Sequence, residues 1–352
     1  MAAKKPITIK HVAREAGVSP QTVSRVFNDH PDVARETRQR VQKVIAELGY
    51  QPNAIARGLI KQRSYTLGVV IAELDQYGLQ RLLVGVERQA NELGYSLLLR
   101  LVHEPELDRG EQLVRDLLAR QVEGIIWAVP EIGDNLSWLQ DRTPGFAVPL
   151  IFIGGEPQSH FPLVSIDTRN GGRLATEHLL SQGYRHIGLI TGPLTWGVSR
   201  RRQLGWQEAL SMAGLPPTDN QIVEGDWSAA SGERGLHQLL ARYPQLEAVF
   251  ACNDQMALGV LRAAQQLGRR VPEDLAVVGF DNIPEAAYFW SPLTSVRQRL
   301  IDLGTLAVQQ VHRMIEAKQQ EDEEVSLPPT VMLLQPELVV RESSIKGGEA
   351  TQ

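Results

Sequence analysis

The sequence predicts two parts of different fold class: a small all-α helix-turn-helix domain at the amino terminus and a larger α/β body of two doubly wound lobes. Three observations support this prediction. Basic residues are concentrated in the first 63 positions, and the same segment carries short amphipathic patterns separated by glycine. The rest of the chain alternates short apolar runs with helical patterns. Of the 352 residues, 43% are apolar and 22% are charged, which is typical of globular proteins.

The charge of the chain is unevenly distributed. The formal net charge is −5, but residues 1–63 hold 12 basic and 5 acidic residues, which leaves 24 basic and 36 acidic residues for the remainder. A basic head on an acidic body is typical of a nucleic-acid-binding module attached to another domain. A solvated basic tail would give the same signature, so charge alone leaves both interpretations open.

The first two helices of the head are bounded by local signals. Thr8 suits an N-cap, and the apolar residues after it recur at helical spacing. Gly17 is placed as a glycine that ends a helix. Ser19 then suits a second N-cap, with Pro20 at the first helical position, where its missing N–H costs nothing.

The second helix has one apolar and one polar face. Val23, Val26 and Phe27 share the apolar face, and a third helix over residues 35–48 presents an apolar stripe to brace it. A head of this kind, over residues 1–51, is a helix-turn-helix domain, although a small helical bundle with a polar outer face would share the pattern. The residues left facing outward are Gln21, Thr22, Ser24, Arg25 and Asn28.

These outward residues suit the major groove of DNA, where the second helix of such a motif lies. Gln21 and Arg25 are four positions apart and project from the same face. Glutamine can pair with adenine and arginine with guanine. Thr22, Ser24 and Asn28 are short and suit phosphate oxygens, which fix position without reading sequence.

Residues 52–63 predict a hinge helix and linker. Pro52 breaks the chain after the third helix, and Asn53 can cap a short helix over residues 54–60. A helix this short is not stable alone in water, and Gly58 weakens it further. We expect it to form only when two copies pack together on DNA, where Leu59 either inserts into the minor groove or merely anchors the linker on the body.

The body carries seven apolar runs that predict buried strands, with helices between them, such as those over residues 79–93 and 108–120. This alternation predicts parallel sheets covered by helices. Ligands bind such sheets at the carboxyl ends of the strands. The predicted strands are TLGVVIA, YSLLLRLV, VEGIIWAV, PLIFIG, IGLITG, AVFAC and DLAVVGF.

Polar and aromatic residues follow several of these strands and form a candidate pocket. A sugar needs paired donors and acceptors for adjacent hydroxyls and an apolar plate for its C–H face, which Arg, Asp, Asn and Trp supply. Several also have a purely structural interpretation: Asp281 can cap a helix, as can either Asn253 or Asp254, and Trp227 can be core. Arg200 and Arg201 are expected on the surface or at a dimer contact. The other candidates are Arg202, Trp227, Asn253, Asp254, Asp281, Asn282 and Gln298.

The run from Ile7 to Leu59, and AGVSPQTVSRVFN above all, resembles the head of the lactose repressor/galactose repressor (LacI/GalR) family of bacterial regulators. The resemblance continues through VVGFDN and SPLTSVRQ, and GDWSAASG is most similar to the lactose-repressor branch. It implies a lambda-repressor-like head and a periplasmic-binding-protein-like body. It also implies that the first lobe is formed by about residues 64–164 and 292–326, and the second by about residues 165–291 and 327–342.

The resemblance also implies residue roles. Pro20 and Gln21 become the base-reading pair and Arg25 the third reader, while Leu59 is the minor-groove wedge with Ala56 beside it. Since the lactose-repressor branch has tyrosine at the position of Pro20, we expect a different operator. Arg202, Trp227, Asn253, Asp281 and Gln298 fall on effector-contacting positions, but Gly154 stands where that branch has an acidic contact. Alternative contacts from the first lobe are Glu73, Asp75 and Tyr77.

The sequence therefore predicts a transcription repressor that binds a near-palindromic double-stranded operator as a homodimer and is released by a mono- or disaccharide. One alternative keeps the fold but uses a purine-like corepressor. The other is a sugar-binding protein that does not bind DNA. No nucleophile–base pair or phosphate loop is evident, so we expect no enzyme activity. We also expect no cofactor and no metal, because the histidines lack metal-ligand spacing and Cys252 is the single cysteine.

Location and assembly are predicted from what the chain lacks. There is no apolar run of about 18 residues and no signal-peptide pattern, so we expect a bacterial cytoplasmic protein associated with the nucleoid and not with the membrane. The last residues, ESSIKGGEATQ, have no leucine heptad, which favours a dimer over a tetramer and a flexible tail over residues 343–352. Helices over residues 79–93 and 255–267 are candidate dimer elements.

Overall fold

The computed structural model describes residues 7–27, 29–50, 63–72, 74–107, 109–139, 146–155, 161–319 and 331–346. The chain divides into two compact units, Met1–Tyr65 and Thr66–Gln352. Several residues with predicted roles lie outside the described positions, as does the predicted hinge helix. They are Asn28, Asn53, Ala56, Leu59 and Glu73.

Among its described residues, the first unit has three helices, α1 (Ile9–Ala16), α2 (Pro20–Phe27) and α3 (Arg35–Leu48). Thr8 is the N-cap of α1, and its backbone N–H donates to the His11 ring at 3.2 Å. Gly17 ends α1 with a φ of 64°, a backbone angle that glycine adopts at little cost. The predicted N-cap and the predicted terminal glycine are therefore the observed ends of α1.

A compact apolar core holds the three helices together. Val12, Val23 and Val41 are fully buried, one from each helix, so the core joins all three. Phe27 and Tyr50 meet edge to face beside it, with ring centroids 6.1 Å apart. Because the buried side chains face inward, the outer face of α2 is left polar.

The first lobe of the second unit is built on a six-stranded, fully parallel sheet in the order β11-β5-β4-β3-β1-β2. Residues in β1, β3, β4 and β5 are buried almost throughout, as expected of parallel strands covered on both faces. The strands are β1 (Thr66–Ala72), β2 (Ser96–Val102), β3 (Gly124–Ala128), β4 (Leu150–Ile153), β5 (Leu163–Ile166) and β11 (Val331–Leu334).

The second lobe is built on another six-stranded sheet, in the order β12-β10-β9-β8-β6-β7. It is parallel except for β12, which pairs antiparallel with β10. Trp206, Phe250 and Phe280 are its largest fully buried side chains. The strands are β6 (Ile187–Thr191), β7 (Ile222–Glu224), β8 (Ala248–Ala251), β9 (Ala276–Asp281), β10 (Thr294–Arg297) and β12 (Glu337–Val339).

Helices cover both sheets and pack as neighbouring pairs. In the first lobe α4 packs on α10, and in the second α6 packs on α7 and α8 on α9. Gly205 lies at the α6–α7 crossing, where an added Cβ would stand 2.0 Å from the Arg169 carbonyl oxygen. The helices are α4 (Tyr77–Glu92), α5 (Gly110–Leu118), α6 (Thr168–Ser181), α7 (Gly197–Met212), α8 (Ala229–Arg242), α9 (Asp254–Gln266) and α10 (Leu300–Gln319).

The predicted lobe boundaries are wrong in two places. The predicted end of the first segment at about 164 is close to the observed one, because β5 ends at Ile166 in the first sheet. β10 belongs to the second sheet, so the chain returns to the first lobe after 297 and not at 292. β11 belongs to the first sheet, although it was predicted in the second lobe. These strands have four residues each, and their lobe is set by pairing with distant strands.

The predicted flexible tail is wrong at its beginning. Ser343 and Ser344 are fully buried in the second lobe. The Ser343 hydroxyl accepts a hydrogen bond from the Thr294 N–H at 2.8 Å and donates to the Val277 carbonyl at 2.6 Å. Small polar residues that look like a tail in the sequence therefore anchor the chain, because their hydroxyls pair with backbone groups of the sheet.

In the described part of the chain, no helix has the length and apolar character needed to span a membrane.

Candidate functional site

A cavity of about 450 Å³ lies between the two lobes of the second unit. Its walls come from the carboxyl ends of strands and the segments after them, including Ala128 and Ile153 of the first lobe and Asp281 of the second. This is where open parallel sheets bind ligands. The volume is within the range of small-molecule sites.

The structure brings seven of the eight predicted effector residues to this cavity. They come from both lobes and from six separate stretches of sequence. The eighth, Glu73, lies outside the described residues. The seven are Asp75, Tyr77, Arg202, Trp227, Asn253, Asp281 and Gln298.

Asp281 and Arg202 face each other in the second-lobe wall. The Arg202 Nη2 and Asp281 Oδ1 atoms are 4.0 Å apart, and the side chains are only 7% and 11% exposed. Gln298 Nε2 donates to Asp281 Oδ1 at 2.6 Å. Burial raises the pKa of Asp281 to about 6, although Arg202 and Gln298 favour its charged form. A ligand with adjacent hydroxyls could accept from the guanidinium and donate to the carboxylate.

Arg202 is held by its surroundings. Its Nη1 donates to the Cys252 carbonyl, and its guanidinium carbon lies 3.8 Å from the centre of the Phe280 ring. It also lies 5.5 Å from the centre of the Trp227 ring. Burial lowers the pKa of Arg202. The stacked aromatic rings and the carbonyl fix the guanidinium in the wall, so it is preorganised for a ligand.

Asp254 is fully buried next to this wall, at the first position of α9. It accepts hydrogen bonds from the Ser295 hydroxyl at 2.6 Å and the Ile283 N–H at 2.8 Å. Burial, with the neighbouring Asp281 charge, raises the pKa of Asp254 to about 8. The Asp254 carboxyl is therefore mostly protonated at neutral pH.

Asn253 has the helix-capping role that its sequence position allowed. Its Oδ1 accepts from the Met256 N–H at 2.8 Å, and its Nδ2 donates to the Trp227 carbonyl at 2.9 Å. Trp227 has a φ of 71° and Asp281 a φ of 106°, a region that side chains other than glycine rarely occupy. Two of the cavity residues are thus held in costly backbone conformations, which concentrate at ligand sites.

Three cavity residues carry buried polar atoms with no hydrogen-bond partner among the described residues. These atoms are the Trp227 indole nitrogen, the Arg202 Nε and the Thr168 hydroxyl. A buried donor without a partner costs about 1–3 kcal/mol. A polar ligand in the cavity would remove that cost.

Sequence reasoning missed part of the cavity wall. Glu131, Trp196 and Arg201 also line it, and Trp196 meets Trp227 edge to face with ring centroids 5.8 Å apart. The expectation that Arg201 lies at the surface is wrong: its side chain is 13% exposed and contacts Glu131. Arg200 is 44% exposed and also contacts Glu131. Only the approach of the two lobes brings these residues together.

In the first unit, the outer face of α2 presents the residues predicted to contact DNA. Pro20, Gln21 and Arg25 are exposed, whereas Thr22 and Ser24 are half-buried. The Ser19 Oγ accepts the Thr22 N–H at 3.0 Å, so Ser19 is the N-cap that the sequence predicts. The exposed face carries the amide of Gln21 and the guanidinium of Arg25, which are groups that can pair with adenine and guanine.

The comparisons with known proteins agree with both units. Residues 8–53 match the family described as bacterial regulatory proteins, lacI family, and residues 176–344 match the periplasmic binding protein-like domain. The chain is 33% identical over 315 residues to the lactose operon repressor of Escherichia coli K12, covering 90% of this chain and 86% of that protein. It is 33% identical over 337 residues to the HTH-type transcriptional repressor PurR of Aliivibrio salmonicida, covering 96% and 98%.

A solved structure is similar over almost the whole chain. The crystal structure of the lac repressor dimer bound to operator and the anti-inducer ONPF has a TM-score of 0.85 and 31% sequence identity. The match covers 97% of this chain and 100% of that chain.

Proposed function

The chain belongs to the lacI family of bacterial regulatory proteins and is a DNA-binding repressor with a small-molecule effector domain, and we propose that its effector is a sugar or glycoside that releases it from its operator. We further propose that it acts as a homodimer on a near-palindromic site, in the bacterial cytoplasm at the nucleoid. In this role it is a regulator and not an enzyme.

The cavity is the observation that carries the effector proposal. It combines a buried guanidinium and carboxylate, Arg202 and Asp281, with the amide of Gln298 and the Trp227 ring. Adjacent sugar hydroxyls each donate and accept, so an Arg–Asp pair suits them, and an indole face suits the C–H face of a sugar ring. The unpartnered Trp227 N–H and Arg202 Nε would gain partners from a polyhydroxylated ligand.

A purine-like corepressor is the second candidate. A planar heterocycle could also stack on Trp227, and the PurR protein of Aliivibrio salmonicida has comparable identity to this chain. The two candidates have opposite effects on operator affinity: a sugar inducer lowers it, whereas a corepressor raises it.

On the DNA side, we propose that Gln21 and Arg25 read bases in the major groove, with Pro20 beside them. Thr22 and Ser24 would contact phosphates, with Thr8, Ser19 and Asn28 near the backbone. Asn53, Ala56 and Leu59 would belong to a hinge that forms when two copies pack on the operator, with Leu59 inserted between base steps. The exposure of Gln21 and Arg25 supports the first of these roles.

The similar crystal structure is of a lac repressor dimer, which supports the homodimer proposal. Tyr288 is 88% exposed, and Trp290, Leu267, Leu99 and Leu101 are also exposed. Side chains of this kind mark a protein–protein contact where they adjoin in one large patch. Of the predicted dimer helices, α9 contributes mainly to the core of its own lobe, since most of its residues are buried. Light scattering should give a dimer, and a tetramer would contradict the proposal.

The discriminating experiment is a gel shift on the DNA upstream of the gene for this protein, titrated with a panel of sugars and a panel of purines. Release by a sugar supports induction, and tightening by a purine supports corepression. If no compound changes operator binding, the effector proposal fails while DNA binding stands. Linkage is reciprocal, so operator DNA should weaken binding of an inducer by the same factor, typically about 5–150-fold for coupling free energies of 1–3 kcal/mol.

A further inference from the structure

The two lobes touch at a second place, away from the segments where the chain crosses between them. The loop after β3 in the first lobe meets the segment after β6 in the second. Ile132 and Trp196 pair as an antiparallel bridge. The Gly133 N–H donates to the Thr195 carbonyl at 3.0 Å, and the Gly197 N–H donates to the Glu131 carbonyl at 2.9 Å.

The side chain of Glu131 strengthens this contact. Arg200 Nη2 donates to Glu131 Oε1 at 2.7 Å, and Arg201 Nη1 donates to Oε2 at 3.2 Å. Glu131 is 22% exposed and Arg201 13%, so solvent screens this pair less than a surface pair. The carboxylate also lies at the first turn of α7, where the helix dipole favours negative charge.

The Glu131 carboxylate occupies the space beside Gly197 at the start of α7. A Cβ added at Gly197 would lie 2.6 Å from Glu131 Oε2 and 3.1 Å from Arg201 Nη1. Any larger residue would therefore push Glu131 away. Glycine at this position and glutamate in the opposite lobe fit each other.

The contact lies away from the crossings in both sheets. The crossings leave or enter β5, β10, β11 and β12, which occupy one edge of each sheet. β3 is two strands away from β5, and β6 is three strands away from β10. Glu131, Trp196 and Arg201 also line the cavity. A contact at this place restrains opening of the lobes about the crossings.

We propose that Glu131 is a positioning residue for effector binding: through Arg200 and Arg201 it fastens the second lobe to the first and keeps the cavity closed around its ligand. We call these three residues the interlobe latch. The latch acts on the lobes themselves, so it operates with any effector and does not depend on the sugar proposal.

The test measures lobe opening in the full-length protein without a ligand. Cys252 is the only cysteine and is buried, so nitroxide labels on Arg120→Cys and Gln238→Cys, exposed positions of the first and second lobes, report the interlobe distance. Labelled protein is diluted with unlabelled protein so that pairs between protomers do not contribute. Because charge-assisted hydrogen bonds are lost, Glu131→Gln should lower the ratio of closed to open molecules about tenfold. The change should appear as a second, longer distance in pulsed electron paramagnetic resonance.

The controls separate the latch from a general effect. Glu104→Gln removes the exposed Glu104–Arg109 pair within the first lobe and should leave the distance unchanged. Arg200→Gln should open the lobes less than Glu131→Gln, because Arg201 still holds the carboxylate. If Glu131→Gln does not fold, Arg200→Gln and Gly197→Ala still test the proposal. Identical distances in the wild type and the folded latch variants, or equal opening in Glu104→Gln, would overturn it.

Discussion

Replacing Asp254 with asparagine should make this protein more stable at neutral pH. Asp254 is fully buried, and its pKa of about 8 lies about four units above the ordinary value of 3.8. Because the folded form has the higher pKa, between about pH 4 and pH 8 it binds a proton that the unfolded chain does not. The contribution of Asp254 to the free energy of unfolding is therefore greatest at the acid end of this window and falls as pH rises through it.

The magnitude follows from the pKa difference. One pH unit corresponds to about 1.36 kcal/mol. Since pH 7 is about three units above the ordinary pKa of 3.8, protonating Asp254 on folding at pH 7 costs about 4 kcal/mol. Asparagine has the same shape and needs no proton: its carbonyl can accept the Ile283 N–H, and its amide can donate to the Ser295 hydroxyl. We expect Asp254→Asn to gain about 2 kcal/mol or more at pH 7, and close to nothing at pH 4.

Urea unfolding followed by tryptophan fluorescence, from pH 4 to pH 8.5 at one protein concentration, measures this effect. Asp274→Asn is the matched control, because Asp274 is paired with Arg270 and its pKa is lowered to about 2 by the hydrogen bonds from Arg270. It should not gain stability at pH 7. If Asp254→Asn had the same pH profile as the wild type, the assignment of a protonated carboxyl to this position would be refuted.

Three further predictions concern the head, the cavity and the packing of the second lobe. Arg25→Ala should reduce discrimination between operator and scrambled duplex by about 1–3 kcal/mol, measured by fluorescence anisotropy, and equal loss on both duplexes would contradict base reading. Asp281→Asn should raise the effector concentration for half release of the operator about tenfold or more, while operator affinity without effector changes less than about threefold. Gly172→Ala should cost about 2 kcal/mol or more, because its Cβ would stand 2.2 Å from the Arg202 carbonyl oxygen; an unchanged melting temperature would contradict this packing.

Much of the cavity wall could be predicted because parallel sheets place the ends of their strands together. Asn253 and Asp281 follow apolar runs directly, so their convergence needed only the parallel topology. The alternative of a capping role for Asn253 also holds, since its Oδ1 accepts the Met256 N–H. A residue can therefore cap a helix and line the site, and the sequence pattern could not separate the two.

Other members of the wall had no signal in the sequence. Glu131 and Arg201 lie far apart in the chain, and each resembles an ordinary surface charge when it is considered alone. Their contact exists because the loop after β3 reaches the start of α7 in the other lobe. The same holds for Ser343, which the sequence places in a tail and the structure places among backbone groups of the second sheet.

Elements whose signals are local could be predicted from the sequence. The bounds of α1, α2 and α3, and the polar outer face of α2, follow from caps, glycine and helical spacing within a few residues. Three features depend on the assembled fold instead: the lobe to which β10 and β11 belong, the burial of Asp254, and the contact of Glu131 with the second lobe. These features depend on contacts between segments that are distant in sequence. Such contacts contribute free energy only after the sheets have assembled.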